Sequence, residues 1–125
     1  RHWSISGKVV QGNRIGRKIG FKTANIYLDG YVNPMYGVYA VKVKFDNKIY
    51  KGISNYGIAP TIRNNKKPVL EIHFFKKIKS IYNKTVIVDF ISFIRKEKKF
   101  KSKKNLTDQI KKDINKAKKI LENAR

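Results

Sequence analysis

Apolar and polar residues alternate with a period of two over much of the first three quarters of the chain. The alternation is clearest in residues 39–45, where every second side chain is aromatic or β-branched and two lysines lie between them. A period of two is typical of a strand with one buried face. Related patterns predict five further strands, at residues 5–10, 24–28, 48–54, 69–75 and 85–95, and the last of these is apolar on both faces, as a central strand is.

The period changes near the end of the chain. Apolar residues there recur at intervals of three and four, with most lysines elsewhere on the helical wheel: Leu106, Ile110, Ile114, Ala117, Leu121 and Ala124. This spacing predicts one amphipathic helix over about residues 103–124, which Ser102 or Asn105 can cap. Short strands followed by a single helix favour a mainly β fold, a small antiparallel barrel with the helix packed against it. No helices alternate with the strands, which excludes a doubly wound α/β sheet.

The length of 125 residues fits a single domain, divided into a barrel over about residues 1–95, a linker over 96–102 and the helix. The absence of cysteine excludes disulfide scaffolds and thiolate metal sites. The same absence fits the cytoplasm. No apolar run approaches the ~20 residues of a membrane span, so we expect no membrane partner. We also expect a monomer. The chain begins at Arg1 without an initiator Met, as a segment cut from a longer protein would.

The charge is strongly positive, with 30 Lys and Arg against 8 Asp and Glu, or +22. Such a charge attracts phosphate groups. Most of the basic residues are lysines, however, in a chain that is also rich in Ile and Asn, as expected from an A/T-rich genome. Because nucleic-acid binding favours Arg, we do not expect nucleic acid as the partner. A small basic barrel that binds single strands remains an alternative.

Residues 7–21 contain four of the eight glycines, with Arg14, Arg17 and Lys18 among them. Glycines let the backbone approach a ligand and turn its N–H groups toward an anion, so this segment is a candidate phosphate cradle. It matches neither a dinucleotide fingerprint nor a P-loop. A glycine-bearing hairpin with charged tips explains the same residues.

Thr23 and Asn25 stand two apart at the start of a predicted strand and so point the same way. A hydroxyl oxygen and an amide oxygen suit Mg²⁺ held together with substrate phosphates. An Asx or Ser/Thr turn is the structural alternative.

Glu71 lies inside a predicted strand, where alternation places it with His73 on the face opposite Leu70 and Ile72. A carboxylate there is a candidate general base. It also fits a surface acid paired with a lysine, and His73 alone indicates a structural residue.

Residues 94–100 connect the last strand to the helix and include Arg95, Lys98 and Phe100. Two cations and an aromatic ring can hold a planar heterocycle and a phosphate. The alternative is a basic linker in which Phe100 packs against the helix. No nucleophilic triad, paired carboxylates or histidine cluster favours a hydrolase.

In their order along the chain, these segments resemble the riboflavin kinase family. The resemblance covers nearly the whole chain and rests on residues 7–12, 16–25, 37–39, 55–57 with 60–61, 70–73, 94–102, and on Leu106, Gln109, Ile110 and Asp113. The resemblance implies a six-stranded antiparallel Greek-key barrel with one C-terminal helix. It also implies an enzyme that uses Mg·ATP to phosphorylate riboflavin to FMN. In many bacteria this domain forms the C-terminal half of a bifunctional FAD synthetase, which implies an N-terminal adenylyltransferase domain as partner.

The resemblance assigns a role to each matching position. Glu71 matches the catalytic carboxylate, and Thr23 and Asn25 match the residues that meet Mg²⁺ and the ATP phosphates. Nucleotide contacts are implied for Gly12, Arg17 and Tyr82, and flavin contacts for Arg95, Lys98 and Phe100. One departure bears on activity, because Lys22 replaces the proline that precedes Thr-Ala-Asn in the family. A flavin-binding domain with weak or lost kinase activity is therefore a further alternative.

Overall fold

The computed structural model describes residues 3–10, 23–28, 34–58, 68–78, 81 and 83–123. Six strands and one helix follow in chain order: β1 Trp3–Val10, β2 Ala24–Leu28, β3 Gly37–Phe45, β4 Lys48–Gly57, β5 Val69–Phe74, β6 Thr85–Arg95 and α1 Lys103–Asn123. The strands are antiparallel and close into a barrel in the order β1-β2-β5-β4-β3-β6. The predicted antiparallel barrel with a C-terminal helix is confirmed.

One predicted boundary is wrong in a way that matters for the site. The predicted strand ends at residue 54, yet β4 continues to Gly57 and pairs with both β3 and β5. Tyr56 explains the extension, since its ring is buried inside the barrel, 2% exposed. Pairing on both sides and burial of this ring outweigh the turn preference of Asn55 and Gly57.

The barrel interior is one apolar core to which every strand contributes. Its buried members are Val9, Ala24, Ile26, Tyr39, Val41, Val43, Phe45, Tyr56, Leu70, Ile72, Ile81, Val86, Val88 and Phe90. Tyr39 lies edge-to-face against Phe90, with ring centroids 4.9 Å apart. Closure of the sheet leaves none of the six described strands at an open edge, which removes the usual site of strand aggregation.

A second apolar cluster lies outside the barrel, beneath α1. It joins Val38, Ala40 and Ile53 to Ala117 and Leu121 of the helix. Partly buried residues of β6 pack on this cluster, which explains why that strand is apolar on both faces. The helix therefore covers the outer surface of β3, β4 and β6.

Ser102 caps the helix, as one of the two sequence alternatives predicted. Its hydroxyl oxygen accepts a hydrogen bond from the backbone N–H of Asn105, at 3.1 Å, and its carbonyl oxygen accepts one from Leu106, also at 3.1 Å. The bond to the hydroxyl satisfies an N–H group that the first turn leaves free, and the bond from Leu106 is the first backbone bond of the helix. No helix in the described part of the chain is long and apolar enough to cross a membrane.

Candidate functional site

Strand register brings distant polar residues into one row across the barrel. Asn25 on β2 lies opposite Glu71 on β5, and Glu71 lies opposite Asn55 on β4. Asn55 is in turn opposite Val38 on β3, which pairs with Arg95 on β6. We call these five residues the polar row, although one of them, Val38, is apolar. Its members come from five strands, and the first and last of them lie 70 positions apart in the sequence.

The polar row faces outward. Asn25 lies between Ala24 and Ile26, whose side chains belong to the interior core, and successive residues of a strand point to opposite faces. Glu71 alternates in the same way with core residues on either side, as the sequence predicted. The two side chains therefore emerge together on the outer surface, where opposite Cβ atoms are typically 4.5–5.5 Å apart.

Asn25 is buried although it points away from the barrel interior, with only 2% of its surface exposed. Its amide oxygen accepts no hydrogen bond from any group in the described part of the chain. An unsatisfied buried acceptor costs about 1–3 kcal/mol and calls for a partner such as a water or an ion. The observation fits a cation-binding role, because amide oxygens are ligands that Mg²⁺ accepts.

Thr23 immediately precedes β2 and is half-buried. Alternation along an extended backbone places its hydroxyl on the same side as Asn25. Within the described ranges, no group of three or more His, Cys, Asp or Glu side chains could form a metal cage. A divalent ion at this position would therefore take most of its ligands from waters and substrate phosphates, as Mg²⁺ commonly does.

Arg95, at the far end of the row, is tied to the helix. Its guanidinium donates to both carboxylate oxygens of Asp113: Nε is 3.1 and 3.0 Å from them, and Nη2 is 2.8 Å from Oδ2. Gln109 donates a further hydrogen bond to Asp113, at 2.9 Å. The pair is mostly shielded from solvent, with side-chain exposures of 18% and 4%. It joins the end of β6 to the middle of α1.

The segment after Arg95 folds back onto the same group. Nη1 of Arg95 donates to the carbonyl oxygen of Lys96 at 3.0 Å, and the Phe100 ring lies 5.7 Å from the guanidinium carbon. Lys98 makes a long hydrogen bond of 3.4 Å to Gln109. The three residues assigned by resemblance to the flavin thus lie close together, and their polar contacts in the structure order the linker.

Asp113 is the site residue for which the sequence assigned no contact. It falls on the apolar stripe of the helix, between Ile110 and Ala117, at the spacing of three and four that marks the inner face. A carboxylate at such a position signals a buried partner, because burying an unpaired charge is costly. The sequence does not identify that partner as Arg95, which lies in another element.

Three predicted nucleotide contacts lie outside the described residues: Gly12, Arg17 and Tyr82. Lys22, the residue that departs from the family pattern, also lies outside them. Of the predicted phosphate cradle, residues 7–10 belong to β1 and residues 11–21 lie outside the described residues.

Comparison with known proteins points in one direction. A family model described as Flavokinase, riboflavin kinase, matches residues 1–121. The bifunctional riboflavin kinase/FMN adenylyltransferase of Haemophilus influenzae is 47% identical over 117 residues, which cover 93% of this chain and 38% of that protein. The chain therefore spans well under half the length of this relative.

Two solved structures share the fold. A macrolide-efflux protein from Streptococcus pneumoniae matches with a TM-score of 0.80 at 32% identity, over 98% of this chain and 39% of that one. The riboflavin kinase of Trypanosoma brucei matches with a TM-score of 0.68 at 23% identity, over 98% of this chain and 82% of that one. Both support the closed barrel with its helix.

Proposed function

The chain belongs to the riboflavin kinase family, and we propose that it transfers the γ-phosphoryl group of ATP to the 5′-hydroxyl of riboflavin, giving FMN and ADP. The placement of Asn25 directly opposite Glu71 carries the proposal. It gives one patch of the outer surface an oxygen donor for a cation and a carboxylate for a hydroxyl proton. Phosphoryl transfer to an alcohol needs both of these groups close together.

Glu71 acts as the general base in this proposal. Its carboxylate takes the proton of the 5′-hydroxyl as that oxygen bonds to the γ-phosphorus. The bond between this phosphorus and the bridging oxygen breaks, and ADP leaves with the electron pair. Because such transition states are loose, orientation of the hydroxyl contributes more than proton removal does.

Thr23 and Asn25 would hold Mg²⁺ together with the ATP phosphates. The buried amide oxygen of Asn25, which has no donor in the described part of the chain, supports this assignment. When bound, the ion neutralises negative charge on the phosphoryl oxygens. Thr23 and Asn25 would place their side-chain oxygen atoms beside Glu71. Binding of the ion through these two atoms, waters and phosphates requires no further acidic residue.

The remaining contacts follow the family resemblance. We assign Gly12, Arg17 and Tyr82 to the nucleotide. For Arg95, Lys98 and Phe100 we propose a position beside the flavin, in the linker that the Arg95–Asp113 pair anchors. We further propose a cytoplasmic, monomeric kinase domain that is joined to an adenylyltransferase domain, as in the bifunctional relatives.

The direct test incubates the purified chain with riboflavin and ATP, separates the flavins by chromatography and measures the FMN formed. We expect FMN to appear with Mg²⁺ and to disappear when EDTA removes the ion. Absence of FMN at saturating substrates contradicts the proposed activity.

Titration of riboflavin fluorescence separates the alternatives. Riboflavin that binds without turnover identifies a flavin-binding domain that has lost activity. A salt-sensitive complex with a labelled oligonucleotide, in the absence of flavin binding, identifies a nucleic-acid module instead.

A further inference from the structure

A second carboxylate lies near the polar row. Glu97 belongs to the linker after β6, and its carboxylate packs directly on the backbone of Gly57 at the end of β4. A Cβ atom at Gly57 would lie 2.8 Å from Cδ of Glu97 and would overlap one of its oxygens. The backbone at Gly57 is not in the left-handed region, and the three atoms nearest an added Cβ all belong to the end of the Glu97 side chain, which would have to move.

The position of Gly57 places this carboxylate close to Glu71. Asn55 and Gly57 lie on the outer face of β4, because Tyr56 between them points into the core. Asn55 is opposite Glu71, which makes Gly57 the diagonal neighbour of Glu71, at a typical separation of roughly 7–8 Å. Glu97 therefore lies over the same patch of the outer surface as the proposed base.

The carboxylate of Glu97 is not paired with the lysines next to it in the described part of the chain. It is exposed and lies between Lys96 and Lys98, yet it makes no ion pair with any residue in the described ranges. Contact with a glycine backbone leaves its oxygen lone pairs available. The linker that carries it is anchored on one side by Arg95 and Asp113, which fixes where the linker leaves the barrel and so where Glu97 begins.

We propose that Glu97 binds the inner hydroxyl groups of the ribityl chain by accepting their hydrogen bonds. This inference rests on the proposed function, in which the terminal hydroxyl of the same chain lies at Glu71. A polyol that runs from Glu71 toward Gly57 brings its next hydroxyls under the second carboxylate. Glu97 then selects flavins that carry the sugar alcohol and aligns its terminal hydroxyl.

The test compares two ligands, riboflavin and lumiflavin, which has the same ring system without the ribityl chain. Fluorescence titration of Glu97→Ala is expected to show about tenfold weaker riboflavin binding, as for loss of a hydrogen bond to a charged group, with unchanged lumiflavin binding. Gly57→Ala is expected to reproduce this result, because its methyl group displaces the carboxylate. Glu122→Gln, which alters an exposed acid on the helix, serves as the matched control and is expected to bind both flavins as the wild type does.

A double-mutant cycle separates this role from a general disturbance. In the Glu97→Ala background the added methyl at Gly57 meets no carboxylate, so Gly57→Ala is expected to cost nothing further. Additive losses, equal weakening of lumiflavin, or unchanged riboflavin affinity in Glu97→Ala overturns the inference.

Two further outcomes distinguish this inference from the proposed activity. Riboflavin that binds through Glu97 without forming FMN removes the kinase proposal and leaves the binding role. Wild-type protein that binds no flavin overturns both.

Discussion

At the scale of single residues, Asn25 and Glu71 differ in how deeply their side chains are buried. Asn25 is almost fully buried with an amide oxygen that no described group satisfies, whereas Glu71 is half-buried on the neighbouring strand. The buried oxygen is suited to a ligand that brings its own charge. The more accessible carboxylate is suited to a hydroxyl group that arrives and leaves.

Replacing Glu71 tests the proposed base. We expect Glu71→Gln to lower kcat by roughly 10²–10⁴-fold, the usual contribution of a general base, because the amide cannot accept the hydroxyl proton. Riboflavin affinity, measured by fluorescence, is expected to stay within a factor of a few. Full activity in this variant would remove Glu71 from the mechanism.

Replacing Thr23 tests the proposed cation site. We expect Thr23→Ala to raise KM for Mg·ATP by about tenfold, since one oxygen contact to a charged group is lost. KM for riboflavin is the internal control and is expected to remain unchanged. An unaltered ATP dependence at several Mg²⁺ concentrations would contradict the assignment.

At the scale of elements, one ion pair joins the helix to the barrel. Asp113 is buried at the middle of α1, and Arg95 ends β6, so their bidentate contact crosses between two elements that otherwise meet through apolar residues. Breaking a buried pair leaves an uncompensated charge. The contact also sets the direction in which the linker leaves the barrel, and with it the position of Glu97.

The strength of this junction can be measured by denaturation. We expect Asp113→Ala to lower the free energy of unfolding by about 3 kcal/mol, near the low end for a broken buried pair because Arg95 keeps some exposure. Asp108→Ala is the matched control: its pair with Lys104, at 3.2 Å, is exposed and is expected to contribute less than about 1 kcal/mol. Equal losses in the two variants would show that the buried pair has no special role.

At the scale of the whole molecule, the closed barrel keeps two tyrosine side chains away from water. Burial raises the pKa of Tyr39 above its ordinary value of 10.0, and burial followed by the nearby Tyr36 and Tyr39 raises that of Tyr56. The hydroxyl of Tyr39 also donates to the carbonyl oxygen of Met35, at 2.6 Å. Both phenols therefore remain protonated in the folded barrel at pH values where exposed tyrosines ionise.

This linkage predicts a loss of stability in alkali. Above pH 10 the unfolded chain releases protons that folded Tyr39 and Tyr56 retain, so the folded state binds more protons and the free energy of unfolding falls as pH rises. Urea denaturation between pH 9 and about 11 is expected to show this decline, and Tyr39→Phe is expected to make it shallower. An identical slope in that variant would contradict the assignment.

The elements of this protein were largely predictable because their signals are local. A period of two defined strands that agree with the structure to within a few residues, and the spacing of three and four defined the helix with its cap at Ser102. The turn between β3 and β4 is local as well, since Asp46 and Asn47 tolerate the positive φ values of 51° and 61° that they adopt. These features depend on neighbours along the chain, and any sequence carries that information directly.

Strand register and barrel closure decided which residues of the candidate site lie next to one another. The pattern placed Glu71 on an outward face, but only pairing showed that Asn25 is opposite it and that Asn55 belongs to a strand. The contact between Arg95 and Asp113 and the seat of Glu97 on Gly57 likewise join segments far apart in sequence. Such contacts depend on how every strand pairs at once, so one residue of slip would move each side chain to the other face. The amino-acid sequence by itself therefore determined the elements and the candidate chemistry, while the tertiary structure alone decided which of these groups meet.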